Sequence, residues 1–384
     1  MEKLKVMTIF GTRPEAIKMA PVILELKKFP EKIQTTVAVT AQHREMLDQV
    51  LNLFKIKPDF DLNIMSAGQT LFDITSRALL GLNKILEEVK PDIVLVHGDT
   101  TTTFAGALAA YYHQISVGHV EAGLRTGNKF SPYPEEMNRK LTAALTDLNF
   151  APTKTSKENL LREGVDAEKI FVTGNTVIDA LFQTISSDFK FSDALLNQIN
   201  YDNDRVILVT THRRENWGEP LRQVYKALKK LVEEFPDVEV IFPVHKNPVI
   251  REVVDAELGN IPRVYLTDPL DYEPFANLMS RVKLILTDSG GVQEEAPALG
   301  KPVLVLRDTT ERPEAVSAGT VKLVGTDFSN VYENAKILLT DAAEYKKMSE
   351  ACNPYGDGKA ASRIVQAVLW KYNFEDNKPI PFNL

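Results

Sequence analysis

One cysteine, Cys352, stands in a chain of 384 residues. A single thiol excludes an internal disulfide and fits a reducing compartment. No apolar run approaches the roughly 20 residues that a membrane span requires. Met1 to Lys5 leads straight into a short strand, with no apolar stretch of signal-peptide length. These absences predict a soluble, cytoplasmic protein. Positive charge is not in excess either. The net charge of -7 argues against a nucleic-acid partner, although local basic clusters can still hold phosphate. Neither a Walker pattern nor Gly-x-Gly-x-x-Gly occurs, so the ATP and NAD fingerprints are missing. There is no fixed-period repeat and no low-complexity segment.

What is present is a globular composition spread over too many residues for one ordinary core, which predicts two domains. Short apolar runs alternate with helix-patterned stretches throughout. Val6–Phe10, Thr35–Thr40, Ile93–Val96, a run opening at Ser116, and Phe171–Thr173 read as strands. Leu71–Val89 reads as a long amphipathic helix between them. A polar, irregular stretch follows at about residues 183–203, and the alternation resumes at Arg205–Val209, Val238–Phe242 and Val264–Leu266. Such alternation predicts an α/β fold with two doubly wound parallel sheets. Ligand crevices are expected beyond the C-terminal ends of the strands. The expected boundaries are residues 1–185, residues 186–358, and a final helix within 359–384 that returns to the first domain.

The stretch from Leu284 to Glu314 organises the second half. An apolar run, Leu284–Thr287, stops at Asp288-Ser289-Gly290-Gly291. A helix-like run from Val292 to Leu299 follows with Glu294 and Glu295 in its first turns, and a second apolar run is Val303–Leu306. This strand, turn, helix and strand series suits phosphate. The glycines admit a close backbone approach, and a helix N-terminus presents unbonded N–H groups. One of the carboxylates could accept from ribose hydroxyls. The same pattern also occurs in βαβ units whose glycines serve packing alone.

Polar residues gather at strand ends in the first half: Arg13, His97, Asp99, His119, Glu121 and Arg125. Arg13 and Lys18 flank a strand-to-helix turn, where they serve an anion or simply face solvent. The His97/Asp99 and His119/Glu121 pairs read as metal ligands, as acid/base groups, or as hydrogen-bonding histidines at strand termini. Pro134 with Glu135 and Glu136 forms a helix entry, and Glu135 and Arg139 have the i, i+4 spacing of a surface pair. In the second half His212 and His245 also fall at strand ends.

Six ordered motifs carry a resemblance over nearly the whole chain. They are Gly11-Thr12-Arg13-Pro14-Glu15, His97-Gly98-Asp99-Thr100, His119–Arg125, Pro134-Glu135-Glu136, Thr211–Asn216 and Asp288–Pro297. Together they resemble the non-hydrolysing UDP-N-acetylglucosamine 2-epimerases of bacteria. The resemblance implies two Rossmann-like domains with a glycosyltransferase-B-like cleft between them, a homodimer, and no NAD or metal. It implies interconversion of UDP-N-acetylglucosamine and UDP-N-acetylmannosamine for cell-wall or surface polysaccharide synthesis. The route is anti elimination of UDP to 2-acetamidoglucal, followed by re-addition. By motif match, Asp99, Glu121 and Glu135 are the acid/base candidates, with Lys18 and Arg13 beside the reacting centre and Arg139 orienting Glu135. His212 is matched to the diphosphate and to the departure of UDP, and Arg213 to the UDP-sugar. Ser289, Gly290 and Gly291 are matched to phosphate, Glu295 to ribose, Arg312 to the sugar hydroxyls or phosphate, and Phe275 to uracil.

Some members carry an effector site for UDP-N-acetylglucosamine beside the active site. Gln42, His43 and Gln69 match it here, but Gly68 stands where those members have arginine. Rival readings are a hydrolysing epimerase that releases N-acetylmannosamine, a glycosyltransferase of the same fold, a metal hydrolase, and a nucleotide-sugar sensor.

Overall fold

A computed structural model describes residues 2–41, 44–66 and 68–383, with only the backbone given at position 249. The chain divides into two compact units: Met1–Gln183 with Tyr355–Leu384, and Thr184–Pro354.

Among the described residues, the first unit is built on a seven-stranded sheet. Its strands are β1 (Leu4–Phe10), β2 (Ile33–Val39), β3 (Phe60–Asp61), β4 (Ile93–His97), β5 (Ser116–Val120), β6 (Leu148–Ala151) and β7 (Ile170–Val172). They lie in the order β3-β2-β1-β4-β5-β6-β7, and every pair is parallel. A parallel sheet covered on both faces needs strands that are apolar throughout. β4 meets this with Ile93, Val94, Leu95 and Val96, all fully buried. Sequence pattern passes over two of the strands. β3 is two residues long. β6 carries Asn149 in mid-strand, yet that residue is completely buried. The helix Leu71–Val89 has the predicted limits, set by a capping box in which Thr70 and Asp73 bond each other's backbone N–H. Pro134 is the cap preceding the helix Glu135–Leu145, not its first residue.

The C-terminal segment joins this first unit through specific bonds. Asp179 accepts the backbone N–H groups of Ala360 and Ala361 at 3.1 and 2.9 Å, which caps the helix Ala360–Lys371. The Phe382 N–H donates to the Val172 carbonyl at 2.9 Å. Burial raises the Asp179 carboxyl to about 6, against the lowering effect of those amides.

The second unit holds, among the described residues, a six-stranded sheet. Its strands are β8 (Arg205–Thr210), β9 (Val238–Pro243), β10 (Val264–Thr267), β11 (Leu284–Thr287), β12 (Val303–Val305) and β13 (Val321–Leu323). The order is β10-β9-β8-β11-β12-β13, again parallel throughout. The helix Glu219–Glu234 shows why the layers adhere. Leu221, Val224, Tyr225, Leu228, Leu231 and Val232 recur at helical spacing, and all are buried. Tyr225, the largest fully buried side chain, satisfies its hydroxyl on Thr211 Oγ1 at 2.9 Å.

Each strand order reverses once, between β1 and β4 and between β8 and β11. The connections leaving such a pair diverge to opposite sides, which opens a crevice beyond the strand C-terminal ends. Gly11–Arg13 and Gly98–Thr100 follow β1 and β4. Thr211–Arg213 and Asp288–Gly291 follow β8 and β11. Arg13, Asp99, His212, Arg213, Ser289, Gly290 and Gly291 therefore fall where each topology makes a ligand crevice, while Glu121 follows the next strand, β5.

Candidate active site

In the first unit a buried carboxylate ties the two turns together. Glu15 is the third residue of the helix Arg13–Leu26 and is almost wholly buried. Its Oε2 accepts the N–H groups of Gly11 and Thr12 at 3.1 and 2.8 Å. Its Oε1 accepts the hydroxyls of Thr100 and Thr103 at 2.8 and 3.2 Å. Burial raises the Glu15 carboxyl above its usual range, against the lowering effect of the hydrogen-bond donors on Thr100, Thr12 and Gly11. Glu15 thus fixes the turn after β1 to the turn after β4. Its position three residues after Thr12 is a readable capping-box signal, but its cross-strand partners are not readable from sequence.

Glu121 follows β5 with its backbone in the left-handed region, φ +64°. A non-glycine residue held there is strained, and such strain clusters at functional sites. Its Oε2 pairs with the Lys18 ammonium and accepts from Asn175 Nδ2 at 2.8 Å. Asn175 lies in the Gly-Asn-Thr turn after β7, a turn that reads in sequence only as a strand closure. Asp99 is held differently. Its Oδ2 accepts Arg139 Nε and Nη2 at 2.9 and 2.6 Å, and its carbonyl accepts Asn138 Nδ2 at 2.9 Å.

Arg139 therefore serves Asp99. Its other partner is Glu136 at 3.2 Å, and not Glu135 as the i, i+4 spacing suggests. Glu136 is fully buried and accepts the N–H groups of Thr126 and Gly127. Glu135, the first residue of its helix, is half-buried. Arg13 is also half-buried and makes no hydrogen bond or ion pair with any described residue. Arg125, one of the strand-end cations, is committed to Glu163 through two bonds of 2.9 and 2.7 Å.

The two His-x-acid pairs are not chelates. His119 Nε2 bonds the Gly98 carbonyl at 2.7 Å, while Asp99 faces Arg139. Among the described residues no three His, Cys, Asp or Glu side chains converge as a metal site. Burial drives both imidazoles to low values, His97 to about 3 and His119 to about 4, so both are neutral at pH 7.

In the second unit, Asp288 ends β11 beside the end of β8 and is completely buried. His212 Nδ1 is 2.9 Å from its Oδ1. Oδ2 accepts the backbone N–H groups of His212 and Arg213, each at 2.9 Å. Burial pushes Asp288 upward, but these donors outweigh it and its carboxyl lies below the usual range. The ionised partner places a proton on His212 Nδ1 and leaves Nε2 for other work. The sequence shows Asp288 only as a strand terminus, and its pairing with a histidine 76 positions away is a product of the β8–β11 neighbourhood.

Ser289 caps the helix Gly290–Glu295 positionally, with no capping bond from its hydroxyl. The predicted run to Leu299 breaks at Pro297, which lacks an N–H to continue the ladder, and the remainder is a 3₁₀ turn over Ala296–Leu299. Gly290 and Gly291 are roomy: a Cβ at Gly291 would meet nothing within 4 Å. Glu295 is buried and accepts the Tyr272 hydroxyl at 3.2 Å. Phe275 lies one turn further along the Tyr272–Arg281 helix and is half-buried. Arg312 pairs with Glu294 through Nε. Arg213 is 3.7 Å from Glu311, and its buried Nε has no hydrogen-bond partner among the described residues. Gln42 and His43 lie outside the described residues. Gln69 accepts the Ser66 N–H at 3.2 Å, and Gly68 beside it has φ +69°.

Two parallel sheets with polar clusters at their reversal points define a two-unit, Rossmann-like α/β class of protein. The UDP-N-acetylglucosamine 2-epimerase family model matches residues 25–369. A UDP-N-acetylglucosamine 2-epimerase from Bacillus subtilis (strain 168) is 62% identical over 382 residues, covering 100% of this chain and 99% of its own. A crystal structure of a UDP-N-acetylglucosamine 2-epimerase, 59% identical, superposes with a TM-score of 0.94 over 100% of both chains. The Neisseria meningitidis UDP-GlcNAc 2-epimerase, solved bound to UDP-GlcNAc, is 53% identical with a TM-score of 0.83 over 95% of this chain and 100% of that one. The chain belongs to the UDP-N-acetylglucosamine 2-epimerase family. Among the described residues no helix is long and apolar enough to cross a membrane.

Proposed function

We propose that the chain interconverts UDP-N-acetylglucosamine and UDP-N-acetylmannosamine without net hydrolysis, through 2-acetamidoglucal and UDP. The observation that carries this reading is the pair of carboxylates after β4 and β5, each restrained by its own cation: Asp99 by Arg139 and Glu121 by Lys18. Inverting C2 through an alkene requires proton handling on both faces of that carbon. Two separately held carboxylates supply it.

The C2–H bond is not α to a carbonyl and is a poor acid. Its proton must pass to a carboxylate as the C–H pair becomes the C1=C2 bond and the C1–O pair leaves with UDP. A placed base is worth about 10²–10⁴-fold. A donor aimed at the departing charge contributes on the order of 3 kcal/mol. Asp99 and Glu121 are the proposed proton carriers, with Glu135 as a third candidate. His212, oriented by Asp288, donates toward the departing diphosphate. Ser289, Gly290 and Gly291 hold phosphate, and Arg13, Arg213 and Arg312 supply positive charge. Glu295 and Phe275 serve the ribose and uracil. No step in this scheme calls for NAD or a metal. A cytoplasmic homodimer supplying polysaccharide synthesis is the setting we propose.

Product analysis by ³¹P and ¹H NMR tests the reading. UDP-N-acetylmannosamine should accumulate to equilibrium with the diphosphate linkage conserved. Stoichiometric UDP with free N-acetylmannosamine would identify a hydrolysing enzyme instead.

A further inference from the structure

We propose that His97 is a positioning residue for Glu121, accepting a hydrogen bond from its carboxyl once that group has taken the proton from the sugar carbon. This rests on the elimination reading above and assigns a role to a side chain that the reading does not use.

His97 is 3% exposed, and neither ring nitrogen has a hydrogen-bond partner among the described residues. Buried polar groups in native folds are almost always bonded, so an orphaned imidazole needs a reason. His119, which pairs on β5 with the preceding residue Val96, shows the ordinary alternative by bonding the Gly98 carbonyl. His97 Nε2 instead lies 3.9 Å from Glu121 Oε2, the oxygen that also meets Lys18 and Asn175. That separation is too long for a hydrogen bond to the carboxylate. It needs to close to only about 3 Å for an O–H···N bond from the protonated carboxyl.

The groups around Glu121 favour opposite states. Lys18, from the helix Arg13–Leu26, favours the anion. A neutral imidazole that accepts a proton-bearing oxygen favours the acid. Burial keeps His97 at about 3 against the pull of Glu121, and Lys18 and His119 press the same way. The imidazole therefore accepts without competing for the proton. In the step itself the C2–H bond breaks, its pair forms C1=C2, the C1–O pair leaves with UDP, and the new Glu121 O–H points to His97 Nε2. Reversing the step returns the proton. A carboxyl that must act as base and then as acid needs a pKa closer to the working pH than an ion-paired carboxylate has. His97 opposes Lys18 in that direction.

The test compares His97→Phe, which keeps a buried ring without an acceptor, with His97→Gln, which keeps an acceptor. In the Phe variant kcat should fall at least about 10-fold with KM within about threefold of wild type. The acid limb of its kcat profile should move to lower pH, because the protonated carboxyl has lost its partner. The Gln variant should keep the limb near its wild-type position. A Phe variant with an unmoved limb, or a Gln variant shifted equally, overturns the proposal. A measurement on the unsubstituted protein covers a Phe variant that fails to fold. In ¹⁵N-histidine NMR at pH 7, His97 Nε2 should appear unprotonated, and a protonated Nε2 overturns the assignment. C2 deuterium exchange in the wild type is measured alongside. If exchange is absent, the elimination reading falls and this inference with it. If exchange is present and the limb unmoved, only the role of His97 falls.

Discussion

The Asp288 carboxylate lies 2.9 Å from His212 Nδ1 and also accepts the backbone N–H groups of His212 and Arg213. One buried anion thus sets the ring, its tautomer and the loop that carries it. Asp288→Asn keeps the shape but removes the charge that fixes the proton on Nδ1. Turnover should fall about 10²–10⁴-fold with KM changed only a few fold. Steady-state kinetics on UDP-N-acetylglucosamine would show this, and a wild-type kcat would remove His212 from UDP departure.

Asp99→Asn and Glu121→Gln should each fold with wild-type circular dichroism and thermal midpoint but lose about 10²–10⁴ of turnover. Arg139→Lys should behave as a weaker version of the Asp99 variant. Lysine cannot reproduce the two bonds that the guanidinium makes to Asp99 Oδ2. Full activity in either carboxylate variant would show that the wrong acid had been chosen.

Glu15→Ala should be a stability variant. It strands two backbone N–H groups and two hydroxyls in a buried place. The expected loss is about 2–4 kcal/mol in urea unfolding followed by the first unit's signal. A loss under about 0.5 kcal/mol, the scale of an ordinary surface substitution, would show that the two turns are held by other contacts.

Acid should destabilise the fold through its buried histidines. His119 titrates at about 4 in the fold, below its usual value of 6.5. Between those values the unfolded chain binds a proton that the folded chain refuses, so stability is full above about pH 6.5 and is lost as pH falls toward 4. At pH 5 the deficit from this one group is about 2 kcal/mol. His119→Gln keeps a donor for the Gly98 carbonyl but has nothing to titrate. Its thermal midpoint should fall less than wild type between pH 7 and pH 5, and equal falls would refute the assignment.

The alternation that specifies parallel sheets was legible because strands buried on both faces are continuous apolar runs, as in Ile93–Val96. The helix Leu71–Val89 was legible from its amphipathic period, and in the fold Thr70 and Asp73 fix its start. β3, β6 and β13 were not, since runs of two or three residues carry no period and Asn149 interrupts the pattern. At the site, Asp99, Glu121 and His212 stood out as ionisable residues at strand ends. Their partners did not. Asp288, Asn175 and Glu15 gain their roles from which strands lie side by side, and sequence spacing holds no record of that. Arg139 was misdirected for the same reason: its i, i+4 neighbour Glu135 is visible in the sequence, while Asp99, 40 positions away, is not.

The central claim is that the C2 hydrogen leaves the sugar while UDP departs and returns. Incubation with UDP-N-acetylglucosamine in deuterated water, read by mass spectrometry and ¹H NMR, tests it most directly. The account predicts deuterium at C2 in both epimers with the UDP linkage intact. Epimer formed with its original C2 hydrogen retained would contradict it.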